Sequence, residues 1–248
     1  MYHFFVEPAQ IHEETKTVII TGKDVNHIKN VLRMKPGEEL SVSNGMDGRD
    51  YRCGIRSFTE DSVELELRFI KEDGVELPSK IYLFQGLPKA DKMELIIQKA
   101  VELGVYEIIP VETKRCVVKL DAKKAKSKVE RWQGISEAAA KQSKRGIVPR
   151  VSQPTSFREA VKRAAAMDVR LIPYELSRGM EHTRELIKSI RPGQEIAVFI
   201  GPEGGFDEAE IELAGENGIE PVTLGKRILR TETAGFTIIS WLMYHLES

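Results

Sequence analysis

The sequence predicts a small β-rich domain followed by a larger α/β domain with helices on both faces of its sheet. Three observations carry this. Strand patterns dominate residues 1–72, and strand and helix patterns alternate from residue 81 onward. Between them lies a polar stretch containing Gly and Pro, Lys71 to Lys80, which reads as a linker. The predicted domains are residues 1–72 and 73–248.

In the first domain, Thr17 to Thr21 is rich in β-branched residues, and Glu39 to Ser43 follows a Pro36-Gly37 turn. Ser62 to Phe69 alternates as a half-buried strand does, and Asn44-Gly45 and Asp47-Gly48 mark turns between strands. One segment, Asp24 to Met34, reads as helix, with Val25, Ile28, Val31 and Leu32 at helical spacing.

The second domain opens on an apolar strand, Ile81 to Gln85. A helix with Met93, Ile96, Ile97 and Ala100 on one face follows, ending at Gly104, and Val105 to Val111 is the next strand. This rhythm predicts a parallel βαβ unit. A long basic helix spans Ala122 to Ser143, with Val129, Trp132, Ile135 and Ala139 as its apolar stripe. Ser156 and Glu159 have capping-box spacing and open a helix through Ala166. Then come strand Val169 to Pro173, a helix near Arg184 to Ile190, strand Glu195 to Ile200, and a helix capped by Asp207 and Glu210. Strand Glu220 to Leu224 precedes a final helix, Glu232 to Leu246, which is apolar around much of its circumference. Trp132 and Trp241 lie on apolar helix faces and read as core residues. There is no internal repeat.

Composition narrows the function classes. Hydrophobic residues make up 41% of the 248, enough for a packed core. No apolar run approaches the roughly 18–20 residues that span a bilayer. The start, MYHFFVEPAQ, lacks the basic and apolar regions of a signal peptide. Cys53 and Cys116 show no metal-ligand spacing, and the five histidines are scattered, so no metal site and a cytoplasmic location are expected. The net charge of −1 argues against a general nucleic-acid-coating protein. Its distribution is uneven, however: Lys114 to Arg150 holds 12 basic and 3 acidic residues. Such a run reads either as a solvated helix face or as a local field for a polyanion.

Two loops carry the candidate chemistry. Ile196 to Glu210 is a buried-type strand running through Gly201, Gly204 and Gly205 into a capped helix. Loops at strand C-termini are where open α/β sheets bind ligands. The turn has neither the Gly-Lys-Ser/Thr of a Walker loop nor the dinucleotide GxGxxG pattern, and it also suits a purely structural turn. The second loop, after Leu224, contains Gly225, Lys226, Arg227 and Arg230 and opens the last helix with Thr231, Glu232 and Thr233. Exposed helix amides beside cations suit an anionic or electron-rich group. Two such loops at successive strand ends point to one shared pocket.

GPEGGF followed by LGKRILRTETA resembles the bacterial 16S ribosomal RNA uridine-N3 methyltransferases, a branch of the knotted SPOUT superfamily. Gln85 to Val105, Arg131 to Arg145 and Val148 to Arg150 are also similar to that family, so the resemblance covers nearly the whole chain. One departure is His3, where the family carries an arginine nearby.

The resemblance implies a PUA-like β-barrel that grips RNA, then a trefoil-knotted α/β methyltransferase domain that forms a homodimer. It implies S-adenosylmethionine as cofactor, held by Pro173, Tyr174 and Glu175, by Ile200, Gly201, Pro202, Glu203, Gly204 and Gly205, and by Leu224, Gly225, Ile228, Leu229, Arg230, Thr231, Thr233 and Ala234. The adenine is expected on Ile200, Leu224, Ile228 and Leu229. Arg230 is the expected cation near the base oxygens and Glu232 the expected proton acceptor. The expected RNA contacts are Arg33, Lys114, Arg115, Lys141, Lys144 and Arg145, and the expected partner is 16S ribosomal RNA or the small subunit, with no membrane. Other readings of the same residues are a knotted methyltransferase acting on tRNA or a ribose 2′-hydroxyl, and a non-catalytic RNA-binding assembly factor.

Overall fold

The computed structural model describes residues 1–72, 74–174 and 179–248. The chain divides into two compact units. Residues 1–76 with 140–148 form the first, and residues 77–139 with 149–248 form the second.

The first unit contains β1 (Tyr2–Phe5), β2 (Ile11–His12), β3 (Thr17–Thr21), α1 (Lys23–Asn26), β4 (Glu39–Ser43), β5 (Asp50–Phe58) and β6 (Ser62–Lys71). They make a six-stranded sheet in the order β1-β4-β5-β6-β3-β2, antiparallel except for the β1–β4 pair. Val18, Ile20, Leu40, Val42, Cys53, Ile55, Val63 and Leu65 alternate inward and form its core. The predicted helix from Asp24 differs in kind. After Asn26 the chain widens into a π turn, with the Leu32 amide bonded to the His27 carbonyl at 2.9 Å, five residues back. His3 is buried beside Ser41, its Nδ1 2.8 Å from the hydroxyl, and burial pushes its pKa down.

Residues 140–148 fall in the second domain on the sequence boundary, yet they pack with the first unit. Glu76 is the reason. Its carboxylate accepts from the Gly146 and Ile147 amides at 3.0 and 3.1 Å and from Arg145 Nε at 3.2 and 3.1 Å. The Val148 amide also bonds the Gly45 carbonyl at 3.0 Å. Lys141 pairs with Asp24 at 3.0 Å and sits 4.3 Å above the Phe4 ring.

The second unit contains β7 (Lys80–Gly86), α2 (Lys92–Glu102), β8 (Glu107–Glu112), most of α3 (Ala122–Ser143), β9 (Arg150–Val151), β10 (Thr155–Ser156), α4 (Phe157–Ala164) and β11 (Val169–Pro173). α5 (Met180–Ser189), β12 (Glu195–Ile200), α6 (Glu208–Glu216), β13 (Glu220–Val222) and α7 (Thr231–Leu246) complete it. Every strand pair is parallel, in the order β10-β8-β7-β12-β11-β13, with β9 also on the edge of β8. Sequence patterns miss the two-residue strands β9 and β10, start α5 late, and carry β13 two residues too far. The Asp207–Glu210 capping box is present as expected. Ser156 caps α4, its hydroxyl accepting from the Glu159 amide at 3.3 Å, though α4 stops at Ala164.

Strand alternation divides the core. Tyr82 and Phe84 point to the face covered by α4 and α6, where Phe84 stacks on Phe199 at 4.5 Å and Phe157 meets Phe199 edge-on at 5.9 Å. Ile81, Leu83 and Gln85 therefore point to the opposite face, which holds α2 and α7. Along α7, Ile238, Ile239, Leu242 and Leu246 are buried, Phe236, Trp241 and Met243 half-buried, and Tyr244 is exposed. Among the described residues no helix is long and apolar enough to cross a membrane.

Glu107, at the start of β8, is 6% exposed and receives a fork from Arg163 at 3.0 and 2.6 Å together with the Ser152 hydroxyl. Burial alone raises its pKa, but the Arg163 and Ser152 hydrogen bonds and the charges of Arg163 and Arg150 hold it below the usual range. A carboxylate depressed on folding stabilises above its unfolded pKa, about 4.3, and loses that contribution as pH falls through its folded value. Glu107→Gln is accordingly expected to cost about 1.5–3 kcal/mol at neutral pH and much less in acid. Urea unfolding at both pH values checks this, and an equal loss at both would contradict it.

Candidate active site

A cavity of about 890 Å³ opens at the C-terminal ends of β11, β12 and β13. Three segments form most of its wall: Pro173–Tyr174, Ile200–Phe206, and Thr223 through Thr231 with Ala234. Lys92 and Arg115 add cations, and Glu208 adds a carboxylate. Such a site at strand C-termini is where the parallel topology places one.

The turn after β12 folds on itself. The Gly205 amide bonds the Pro202 carbonyl at 2.9 Å, and Gly205 has φ +66°. A Cβ on Gly201 would stand 3.1 Å from the Gly205 Cα, so any larger residue there would push the two arms of the turn apart by a few tenths of an ångström. The Arg115 guanidinium donates to the Gly204 carbonyl at 3.1 Å, and Lys114 Nζ bonds Asp207 at 2.8 Å. That hydrogen bond, with the neighbouring cations and the Ala209 amide, holds the Asp207 carboxyl below its ordinary pKa.

The loop after β13 is tied by Thr183, whose hydroxyl donates to the Thr223 carbonyl at 3.3 Å and accepts from its amide at 3.0 Å. Gly225 then turns at φ +110°. Ile228 is 90% exposed, Leu224 and Leu229 are half-buried, and Ile200 is 2% exposed, so the four expected adenine contacts line the cavity from different depths.

Thr231 opens α7 and joins the strand ends. Its hydroxyl donates to the Gly201 carbonyl at 2.6 Å and accepts from Gln85 Nε2 at 2.9 Å. Gln85 is fully buried, and its Nε2 also reaches the Gly86 carbonyl at 2.9 Å. Arg230, the residue before α7, is exposed and lines the cavity. Glu232 is half-buried, with Oε2 facing Lys92 Nζ at 3.6 Å. Lys92 also holds Glu203 at 2.9 Å. Burial works to raise the pKa of Glu203, but the Lys92 hydrogen bond and the Lys89 amide bring it below the usual range.

Of the expected cofactor residues, Glu175 lies outside the described residues and Thr233 is not on the cavity wall, nor is Glu232, the expected proton acceptor. The others line it. Lys92, Phe206, Glu208 and Thr223 also line it, as do Lys226 and Arg227 of the second loop, and none of these six is among the expected cofactor contacts. Lys92 had a legible signal, since it starts the helix that follows the loop at the end of β7. The expected RNA contacts separate. Arg115 lines the cavity in the second unit and Lys114 beside it bonds Asp207, whereas Arg33, Lys141, Lys144 and Arg145 belong to the first. Arg33 and Lys144 are exposed. Arg145 requires a correction: it is 3% exposed, its guanidinium is committed to Glu76, and it presents no surface to a phosphate.

A parallel sheet with this cavity, joined to a small mixed sheet, coincides with two family models. One described as an RNA methyltransferase domain matches residues 75–243, and one described as an RNA methyltransferase PUA domain matches residues 20–68. The fold and site thus define an RNA methyltransferase. A Bacillus subtilis ribosomal RNA small subunit methyltransferase E is 40% identical, covering 100% of this chain and 98% of its own. The corresponding Neisseria gonorrhoeae enzyme, solved with S-adenosyl methionine bound, is 33% identical with TM-score 0.83, covering 98% of this chain and 97% of its own. A methyltransferase from Legionella pneumophila, also solved with that cofactor, is 32% identical with TM-score 0.78 over 98% and 96% of the two chains. The chain belongs to the ribosomal RNA small subunit methyltransferase E family.

Proposed function

We propose that this protein transfers a methyl group from S-adenosylmethionine to N3 of a uridine in 16S ribosomal RNA. The observation that carries the reading is the cavity walled by the three strand-end loops, in a chain that belongs to this family over its full length. Its size fits a nucleoside-bearing cofactor. Apolar Ile200, Leu224 and Leu229 suit an adenine, while the glycine turn and the start of α7 offer main-chain groups to the polar ends. When bound, the cofactor supplies a methyl group on a positive sulfur that an in-line nucleophile displaces. The chain's own task is to orient the two reactants and manage a proton. Uridine N3 becomes nucleophilic only after losing its proton, which Glu232 accepts, while Arg230 faces the charge that spreads onto the base oxygens.

In this reading residues 1–72 form the PUA-like β-barrel that grips RNA, and residues 73–248 form the knotted methyltransferase domain. The C-terminal segment is threaded as a trefoil knot in this reading, and a backbone trace from crystals tests it. A second copy of the chain covers the half-buried face of α7 around Trp241 and Tyr244. Sedimentation equilibrium is expected to give two chains per particle, and a fully active monomer would contradict this. The protein works in the cytoplasm, where cell fractionation should recover it with ribosomal particles.

Calorimetry with S-adenosylmethionine and mass spectrometry of ribosomal RNA nucleosides from a deletion strain test the function together. The deletion should lack 3-methyluridine in 16S RNA and regain it with the gene. A deletion strain with unchanged 3-methyluridine would overturn the proposal. Gly205→Val sets a branched side chain at a positive φ on the cavity wall, and cofactor affinity is expected to fall at least about tenfold. For RNA, Lys144→Glu with Lys114→Glu should weaken binding and flatten its salt dependence without changing cofactor affinity. An unchanged slope would leave those lysines as ordinary surface charges.

A further inference from the structure

N3 of a uridine lies on the edge that pairs with another base, so an enzyme acting there needs the base unpaired and turned out of its stack. Such a base brings an apolar face and flanking phosphates, and its receiving site needs an apolar side chain with cations beside it. The loop from Thr223 to Thr231 carries both. Ile228 is 90% exposed yet lines the cavity, and among the described residues no other large apolar side chain on that wall is exposed. A single exposed isoleucine is ordinary on a protein surface; this one is set apart by its neighbours and its anchorage. Lys226, Arg227 and Arg230 are exposed, line the same wall and, among the described residues, make no ion pair or side-chain hydrogen bond. The other two cations of the cavity are committed, Lys92 to Glu203 at 2.9 Å and Arg115 to the Gly204 carbonyl at 3.1 Å. Both ends of the loop are held, by the Thr183–Thr223 bonds at 3.3 and 3.0 Å and by the Thr231 bond to the Gly201 carbonyl at 2.6 Å.

We propose that Ile228 packs on a face of the target base and holds it at the mouth of the cavity, while Lys226 and Arg227 take the neighbouring phosphates. This rests on the RNA uridine of the function proposed above, and it leaves the adenine to Ile200, Leu224 and Leu229. The cations decide the occupant. Covering three uncompensated charges with a second copy of this chain strips their hydration without return, whereas RNA phosphates neutralise them and release counterions.

The test uses the full-length protein and small subunits from the deletion strain. Ile228→Ser, Ile228→Leu and the double variant Lys226→Gln with Arg227→Gln are compared with the unaltered protein. For each, calorimetry gives the affinity for S-adenosylhomocysteine, titration gives the affinity for the subunits across salt, and single-turnover kinetics gives the rate at saturation. In Ile228→Ser the saturated rate is expected to fall about 10- to 100-fold, the range for a misplaced reactant. Its affinities for cofactor product and subunits should stay within about twofold, and Ile228→Leu should restore the rate. The double variant should do the reverse, binding the subunits more weakly with a salt slope lower by about one per cation, at a normal saturated rate. A normal saturated rate in Ile228→Ser overturns the proposal. So does a loss of product affinity, which would place Ile228 against the adenine, or a monomer in sedimentation where the unaltered protein is a dimer, which would place it in the subunit interface. Subunits left without 3-methyluridine by the unaltered protein would overturn the function itself, an outcome the variants cannot produce.

Discussion

Glu232→Gln is expected to slow methyl transfer about 100- to 10,000-fold, the range for losing a positioned general base. Glutamine keeps the size of the side chain, and Glu232 is not on the cavity wall, so cofactor affinity should be unchanged. Single-turnover kinetics with saturating RNA and cofactor separates this from a binding defect. A variant with normal rate would move the proton to another acceptor, and one with weakened cofactor binding and a normal maximal rate would make Glu232 a pocket residue.

The second large effect concerns stability. Arg145→Ala leaves the Glu76 carboxylate, with two backbone amides still directed at it, without its cation. Breaking one side of a buried ion pair costs about 3–5 kcal/mol. Urea unfolding should show a loss of that size. Glu76→Gln combined with Arg145→Ala should cost less than the two single changes added together, since the pair is one interaction. RNA binding by the folded fraction should keep the salt slope of the unaltered protein. A normal unfolding midpoint with a shallower slope would return Arg145 to the RNA surface.

These two residues illustrate what could be seen in the sequence. The strand and helix succession of the second unit follows from hydrophobic period and caps, and the Asp207–Glu210 box was visible because its partners are three residues apart. The glycine turn and the RILRTETA loop were visible because both sit at strand ends, where this architecture puts ligands. Arg145 was misread for the opposite reason. Its neighbours in sequence are basic, and the carboxylate that buries it lies near residue 76, at no period that a pattern can register. Lys92 stands where a strand-end loop meets a helix, but its two acidic partners, Glu203 in the turn after β12 and Glu232 in the first turn of α7, meet it only in the folded sheet. The π turn at His27–Val31 was hidden because helical spacing over so short a run does not distinguish the two helical forms.

The first unit is completed by residues 140–148, which are synthesised after the whole of 77–139. During translation the N-terminal sheet, whose core lies within residues 4–67, emerges well before the segment that completes its unit. Glu76 emerges early as an uncompensated carboxylate and gains its arginine and two amide donors only when more than half of the chain has left the ribosome. Domains made of one continuous segment can close as soon as they emerge. Here the order of synthesis and the order of completion differ, and assembly of the N-terminal unit is tied to progress through the second.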